Sequence, residues 1–206
     1  MRAHADKYAI NRNGDSPLSV AAFFGHDSIV AQLLEHQSSA QSPSQANAAL
    51  SHNFVRANED NYTPLMLASA GGHVAVVHRL LQFRHKHFRN HEHIDHVSNL
   101  GQTAAMLAAH YGHVQVVQLL AKEGAHLGLV DQLQRTPMRL AIKRGDVRLV
   151  EILFVNGTSC VEWHMQKNVE PEIENIIFCV AVHAANVDAL TQVPTCIPVT
   201  FPTPAT

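Results

Sequence analysis

The 206-residue chain is long enough for one domain, and its formal net charge of −2 with 16% charged residues lacks the basic footprint of non-specific nucleic-acid binding. Its three cysteines (Cys160, Cys179, Cys196) are odd in number and form no C-x-x-C pair, which argues against a disulfide framework or zinc ribbon and for a reducing, cytoplasmic compartment. No signal-type N-terminus opens the chain and the longest apolar run, 176–182, is too short to cross a bilayer, so a soluble chain without membrane insertion is expected.

In chain order, the same sequence of signals recurs. A polar turn at 11–14 precedes Ser16-Pro17-Leu18, then Ala21-Ala22, Gly25-His26, Ile29-Val30 and Leu33-Leu34. A second turn at 58–61 precedes Thr63-Pro64-Leu65, Ala68, Gly72-His73, Val76-Val77 and Leu80-Leu81. The third unit has its turn at 98–101, then Thr103, Ala108, Gly112-His113, Val116-Val117 and Leu119-Leu120. The fourth has 131–134, Thr136-Pro137-Met138, Ala141, Gly145-Asp146, Leu149-Val150 and Ile152-Leu153.

Each position has a physical reason. Ser or Thr caps free N–H groups at a helix start, and Pro fits the first helical turn because its missing N–H would be unpaired there. Small Ala residues let a second helix approach, and Gly permits the left-handed turn between two helices. The apolar pairs that follow fall on one stripe of a second helix. The polar turns need a positive φ at their last residue, which Asn61 tolerates and Gln134 tolerates poorly, so the fourth turn is expected to be the weakest.

These motifs resemble the ankyrin-repeat family over about residues 8–157. The resemblance implies an all-α solenoid of stacked helix-turn-helix units, with repeats near 8–37, 55–84, 95–127 and 128–157. The steps from Ser16 to Thr63 to Thr103 to Thr136 are 47, 40 and 33 residues. Only the last matches the family period of about 33. Inserts are therefore expected near 38–54, rich in Ser, Gln and Asn, and near 85–94. Residues 170–193, with Ala181 in the place of Ala141, fit a degenerate capping repeat that closes a single domain over 1–193. A Pro-rich tail, 194–206, follows.

The resemblance also implies where a partner would bind: the concave side, made by the turn tips and the exposed side of each first helix. Carried over position by position, this gives Arg12, Asp15, Phe23 and Phe24 in the first unit and Glu59, Asp60 and Tyr62 in the second. The third contributes Leu100, Gln102, His110 and Tyr111, and the fourth Leu133, Arg135, Lys143 and Arg144. Aromatic and arginine side chains are what binding hot spots favour. Charge runs along this list from Asp15, Glu59 and Asp60 to Arg135, Lys143 and Arg144, with Arg139 extending the basic end, a gradient suited to orienting a complementary partner. His26, His73 and His113 hold the family's Gly-His position, where local hydrogen bonding is expected.

Histidine is abundant, at 16 residues. His85, His87, His91, His93 and His96 crowd the second insert, and His87 and His91 have the i, i+4 spacing that can place two imidazoles toward one metal ion. An exposed polar loop or extra helical turn accounts for them without any metal, and no metal or other cofactor is assigned. With Arg79, Arg84, Lys86 and Arg89 beside it, this segment is expected to become strongly cationic below about pH 6.5. Cys160 and His164 lack a third orienting group, and no catalytic motif is present.

The expected function is thus a non-enzymatic, monomeric module that binds another protein. The alternatives are a metal-binding or pH-sensing protein working through 85–96, or the targeting part of a larger enzyme. The Gln-, His- and Asn-rich composition with loose repeats is similar to ankyrin proteins that intracellular bacteria deliver into host cells, which would place the chain in the host cytosol as an effector.

Overall fold

The computed structural model describes residues 9–38, 56–87 and 94–156. Among these residues the chain forms eight helices and no strand. They pair as α1 (Pro17–Phe23) with α2 (Asp27–Ser38), α3 (Pro64–Gly71) with α4 (Val74–His87), α5 (Ala104–Tyr111) with α6 (Val114–Lys122), and α7 (Pro137–Arg144) with α8 (Val147–Val155). The four pairs stack in chain order: α1 on α3 on α5 on α7 form an inner row, and α2 on α4 on α6 on α8 an outer row. This is the all-α solenoid expected. The capping repeat at 170–193, the tail, and residues 39–54 of the first insert lie outside the described residues.

Each inner helix begins as its motif dictates. Oγ of Ser16 accepts from the Ser19 N–H at 3.1 Å, and Oγ1 of Thr63, Thr103 and Thr136 accepts from Met66, Met106 and Arg139 at 3.3, 3.2 and 3.2 Å. The inner helices are short and packed on small residues: Ala21, Ala22, Ala68, Ala108, Ala109 and Ala141 are all buried. The outer helices contribute the aliphatic core, with Val76, Val77, Leu80, Val116, Val117, Leu120, Leu149, Val150 and Leu153 removed from solvent.

What joins one pair to the next is a side chain seated in a glycine-cleared slot. His73 Nε2 donates to the Phe23 carbonyl at 2.9 Å, and His113 Nε2 donates to the Ala70 carbonyl at 2.9 Å. Those carbonyls lie in the last turn of α1 and α3, where the helix leaves them without an internal partner. The rings fit because the preceding pair has no side chain there: a Cβ on Gly72 would sit 2.5 Å from His113 Nδ1, and one on Gly25 would collide with the His73 ring. The hydrogen bonding expected to be local is therefore between pairs, spanning 50 and 43 residues of sequence.

The fourth pair solves the same problem differently. Asp146 replaces the histidine and instead caps α8, accepting from the Leu149 N–H at 3.1 Å. Arg144, two residues earlier, reaches back so that Nη1 donates to the His110 carbonyl at 3.0 Å, and its guanidinium fills the space above Gly112.

The turn tips form a second connection. The first residue of each turn, Asn11, Asn58, Ser98 or Asp131, accepts backbone N–H groups within its own turn. Successive tips then bond to one another: Glu59 N–H to Asn13 O at 3.1 Å, Asn99 to Asp60 at 3.0 Å, and Gln132 to Leu100 at 3.1 Å. Gln134 does adopt the left-handed conformation, φ 56°, and its turn closes as the others do. The Asp131 carboxylate, held by two backbone N–H groups and by Arg135, fixes the turn despite that strain.

The second insert begins later than the sequence suggests, because α4 continues through His87. Arg84, expected on a cationic loop, is only 2% exposed, and its Nη2 lies 3.4 Å from both the backbone carbonyl and the carboxylate of Glu123.

Two glycines with the same backbone isolate the contribution of the slot. At Gly145 (φ 70°) nothing among the described residues lies within 4 Å of the point a Cβ would occupy, whereas the slot at Gly72 (φ 72°) is filled by His113. We predict that Gly145→Ala costs only the left-handed strain, about 1 kcal/mol. Gly72→Ala, which also expels the imidazole and unpairs a carbonyl, is expected to cost about 2–3 kcal/mol. Urea denaturation of the two variants checks this; equal losses would remove the slot from the account. Gln134→Gly, which relieves positive-φ strain on an exposed residue, is expected to raise stability by about 0.5–1 kcal/mol in the same assay.

Candidate functional site

The inner helices and turn tips carry most of the exposed aromatic and apolar side chains near one another. Phe23 and Phe24 are 48% and 60% exposed and pack edge to face with ring centroids 5.2 Å apart. Tyr111, 52% exposed, makes a similar contact with His110 at 4.9 Å. Both aromatics before the Gly-His step also lie over the next imidazole, Phe24 over His26 at 6.2 Å and Tyr111 over His113 at 6.3 Å. In the second pair this position is Gly71, whose missing side chain leaves room for His73. The aromatic surface is thus split into two clusters by a steric requirement of the slot.

At the tips, Arg12, Glu59, Asp60, Leu100 and Leu133 are exposed and Asp15 is half-buried. Asp15 accepts from the side chains of Asn11 and Asn58 at 3.0 and 2.9 Å, so its carboxylate is already partly engaged. Four of the residues expected to meet a partner are used internally instead. Gln102 is buried, with Oε1 accepting from the Tyr62 hydroxyl at 3.1 Å, and Tyr62 is half-buried by the same contact. Arg135 is folded onto Asp131, 2.6 Å from its carboxylate. Arg144 remains exposed, but its guanidinium is committed to the His110 carbonyl.

The basic end is therefore narrower than the sequence suggests. Lys143 and Arg139, one turn apart on α7, are both exposed there. An apolar row that the motif reading passed over is also present: Ile10, Val97 and Val130, each immediately before a turn's first residue, are exposed in the same register. Their β-branched or aliphatic character ahead of each Asn, Ser or Asp was the available signal.

The Asp131 carboxyl is pushed up by its burial, but hydrogen bonds from the Arg135 side chain and from the Arg135 and Leu133 N–H groups outweigh this and hold it below the ordinary carboxylate value. Asp27, bound by both Nε and Nη2 of Arg79 at 2.7 and 2.6 Å, is likewise lowered, chiefly by that hydrogen bonding. The Asp27–Arg79 pair joins α2 to α4 but is more than a third exposed, so it contributes at most about 1 kcal/mol.

Several of the cations expected beside the histidine-rich segment are already paired among the described residues. Arg79 is paired with Asp27, and Arg84 and His85 share the Glu123 carboxylate. His87 packs on the Phe83 ring at 4.3 Å, and burial, with a smaller effect of Lys86, lowers its pKa and favours the neutral form. His96, the last histidine of the segment, is half-buried. His91 and His93 lie outside the described residues, as do Cys160 and His164. Among the described residues, no group of three or more His, Cys, Asp or Glu side chains is placed to hold a metal ion. A shallow groove of about 560 Å³ between α4 and α6, lined in part by His78 and Lys122, contains no hydroxyl or thiol. No helix among the described residues is long and apolar enough to cross a membrane.

Comparison with known proteins agrees with this architecture. The profile of the family described as "Ankyrin repeats (3 copies)" matches residues 1–90 and 84–162. The chain is 24% identical over 148 residues, 72% of its length, to the transient receptor potential cation channel subfamily A member 1 homolog of Caenorhabditis elegans. It is 26% identical over 114 residues, 55% of its length, to the probable 26S proteasome regulatory subunit p28 of Saccharomyces cerevisiae. The matched regions cover 11% and 48% of those two proteins.

The lowered Asp131 pKa carries a pH dependence. A carboxyl depressed in the folded state stabilises fully above its unfolded value and loses that contribution as pH falls through the folded value. Asp131→Ala is therefore expected to cost about 2 kcal/mol at pH 7, with the gap from the parent narrowing once pH drops below the ordinary 3.8. Urea midpoints across pH 7 to about 3 read this directly; a gap that stays constant would contradict the assignment.

Proposed function

Because this chain belongs to the ankyrin-repeat family, whose repeats generally mediate protein–protein interaction, we propose that it is a non-enzymatic module that binds a partner protein across its inner face. The observation that carries this reading is the pair of exposed aromatic clusters, Phe23–Phe24 and His110–Tyr111, on helices that the slot and tip connections hold in place. Exposed aromatics bring large contact area with few rotatable bonds, so little ordering entropy is lost on binding. The acidic tip residues Glu59 and Asp60 at one end, and Arg139 and Lys143 at the other, would orient a partner of complementary charge.

The family relationship and the exposed surface support protein binding without naming the partner. The finer reading, a bacterial effector that acts on a host protein in the host cytosol, rests on the Gln-, His- and Asn-rich composition. A reporter fusion that fails to enter infected host cells would remove it.

For binding, the partner captured by the intact chain serves as the ligand. Phe24→Ala and Tyr111→Ala are each expected to weaken it about tenfold, and Lys143→Glu to slow association mainly at low salt. Affinities measured by titration calorimetry that are unchanged in all three variants would show that the partner binds elsewhere.

A further inference from the structure

The inner face is interrupted at one place. At the two residues that precede each turn glycine, the first pair carries Phe23-Phe24, the third His110-Tyr111 and the fourth Lys143-Arg144, all exposed. The second pair carries Ala70-Gly71. A Cβ on Gly71 would lie 2.6 Å from His73 Cδ2 and Nε2, so the seating of His73 forbids a side chain there. Helix α3 packs between α1 and α5, and neighbouring helix axes lie about 8–10 Å apart. The result is a recess one helix wide, with Phe23-Phe24 as one wall and His110-Tyr111 as the other.

Both walls are supported from behind. Phe24 stands edge to face with Phe23 and lies over His26, while Tyr111 makes the same two contacts with His110 and His113. The polar groups beside the floor are already engaged: His73 Nε2 donates to the Phe23 carbonyl, and the Ala70 carbonyl accepts from His113. An apolar side chain can therefore be buried in the recess without stranding either of them, whereas a polar one would lose its own water for no partner there. The recess also lies where each inner helix turns into its outer partner. Helices α2 and α4 end at the other end of their pairs, beside the tips, so the chain leaves the described pairs at 38 and 87 away from it.

The same pair supplies a charge. Glu59 and Asp60, at its tip, are exposed and form no ion pair among the described residues, even with Arg12 of the preceding tip. The eight residues of α3, Pro64–Gly71, separate these acids from the recess. That helix is about 12 Å long, a distance that an extended chain covers in roughly four residues, or up to six with the offset of the tip.

We propose that the Ala70-Gly71 recess receives one Leu-, Met- or Phe-sized side chain of a partner protein segment that also carries a Lys or Arg roughly four to six residues away, set against Glu59 and Asp60. The inference rests on the inner-face reading above and deepens it: the aromatic clusters are the walls of a specificity pocket rather than two separate patches. The partner is recognised by a buried apolar anchor and oriented by the charge of the tip.

The probe is a synthetic dodecapeptide chosen from a random displayed library by selection on the full chain, with binding read by titration calorimetry. Selected peptides are expected to share the large apolar residue and the cation at that spacing, and to bind at roughly 1–100 μM. Ala70→Phe copies Phe23 at the equivalent position and fills the recess, so it should weaken the peptide about tenfold or more, although an open aromatic face would gain contact from an added ring. Replacing the peptide's large apolar residue by Ala should weaken binding to the parent about tenfold and leave binding to Ala70→Phe unchanged, because that variant has already lost the contact. Glu59→Lys combined with Asp60→Lys should weaken the peptide mainly at low salt. Circular dichroism melts check the fold, and Ala70→His, which copies His110, replaces Ala70→Phe if the latter melts early. A peptide weakened by Tyr111→Ala but indifferent to Ala70→Phe overturns the recess while leaving the inner face as the binding surface. Indifference to both variants overturns the recess together with the inner-face reading. Selection of acidic peptides, or of none that binds tighter than about 1 mM, also overturns the proposal.

Discussion

The stack depends on the unsatisfied carbonyls at the C-terminal end of each short inner helix. A helix of seven or eight residues leaves about half of its carbonyls without an internal acceptor role, and burying them unpaired between layers would be destabilising. In each of the first three pairs one of them is answered by a donor from the next pair: His73 for Phe23, His113 for Ala70, Arg144 for His110. The donor fits only because glycine stands at Gly25, Gly72 and Gly112. One glycine therefore serves two purposes, a left-handed turn within its own pair and a vacancy for its neighbour.

That constraint shapes the binding surface as well. The residue before each slot glycine points toward the inner face, so Phe24 and Tyr111 are displayed there, while Gly71 interrupts the row to admit His73. In the fourth pair the same position is Arg144, which is drawn into the junction because Asp146 has taken the histidine's place. Asp146 thus caps its own helix, as His113 does not, and Arg144 supplies the junction donor in its stead. The inner face loses a cation in the exchange, and Lys143 and Arg139 are left to carry the charge at that end.

Much of this was legible in the residues. The caps at Ser16, Thr63, Thr103 and Thr136, the buried alanines and the aliphatic stripe of each outer helix follow from local rules acting within a few residues. The exposure of Phe23, Phe24, Tyr111, Leu100 and Leu133 also follows from their register in the motif. What was not legible involved partners far along the chain. Gln102 is lost to the surface because Tyr62, 40 residues earlier, donates to it, and Arg84 is buried beside Glu123, 39 residues later. The fourth turn forms around an unfavourable Gln134 because the Asp131 carboxylate collects three donors there.

The sequence by itself determined the helix pairs, their order and the side on which each displays its exposed residues, because caps, glycine turns and apolar periodicity are set by neighbours within about one helical turn. Only the tertiary structure decided which polar side chains remain available to a partner. Hydrogen bonding and burial between layers depend on residues brought together from 34 to 52 positions apart, and a side chain that answers a buried carbonyl or carboxylate is no longer free, however exposed its position reads in the motif.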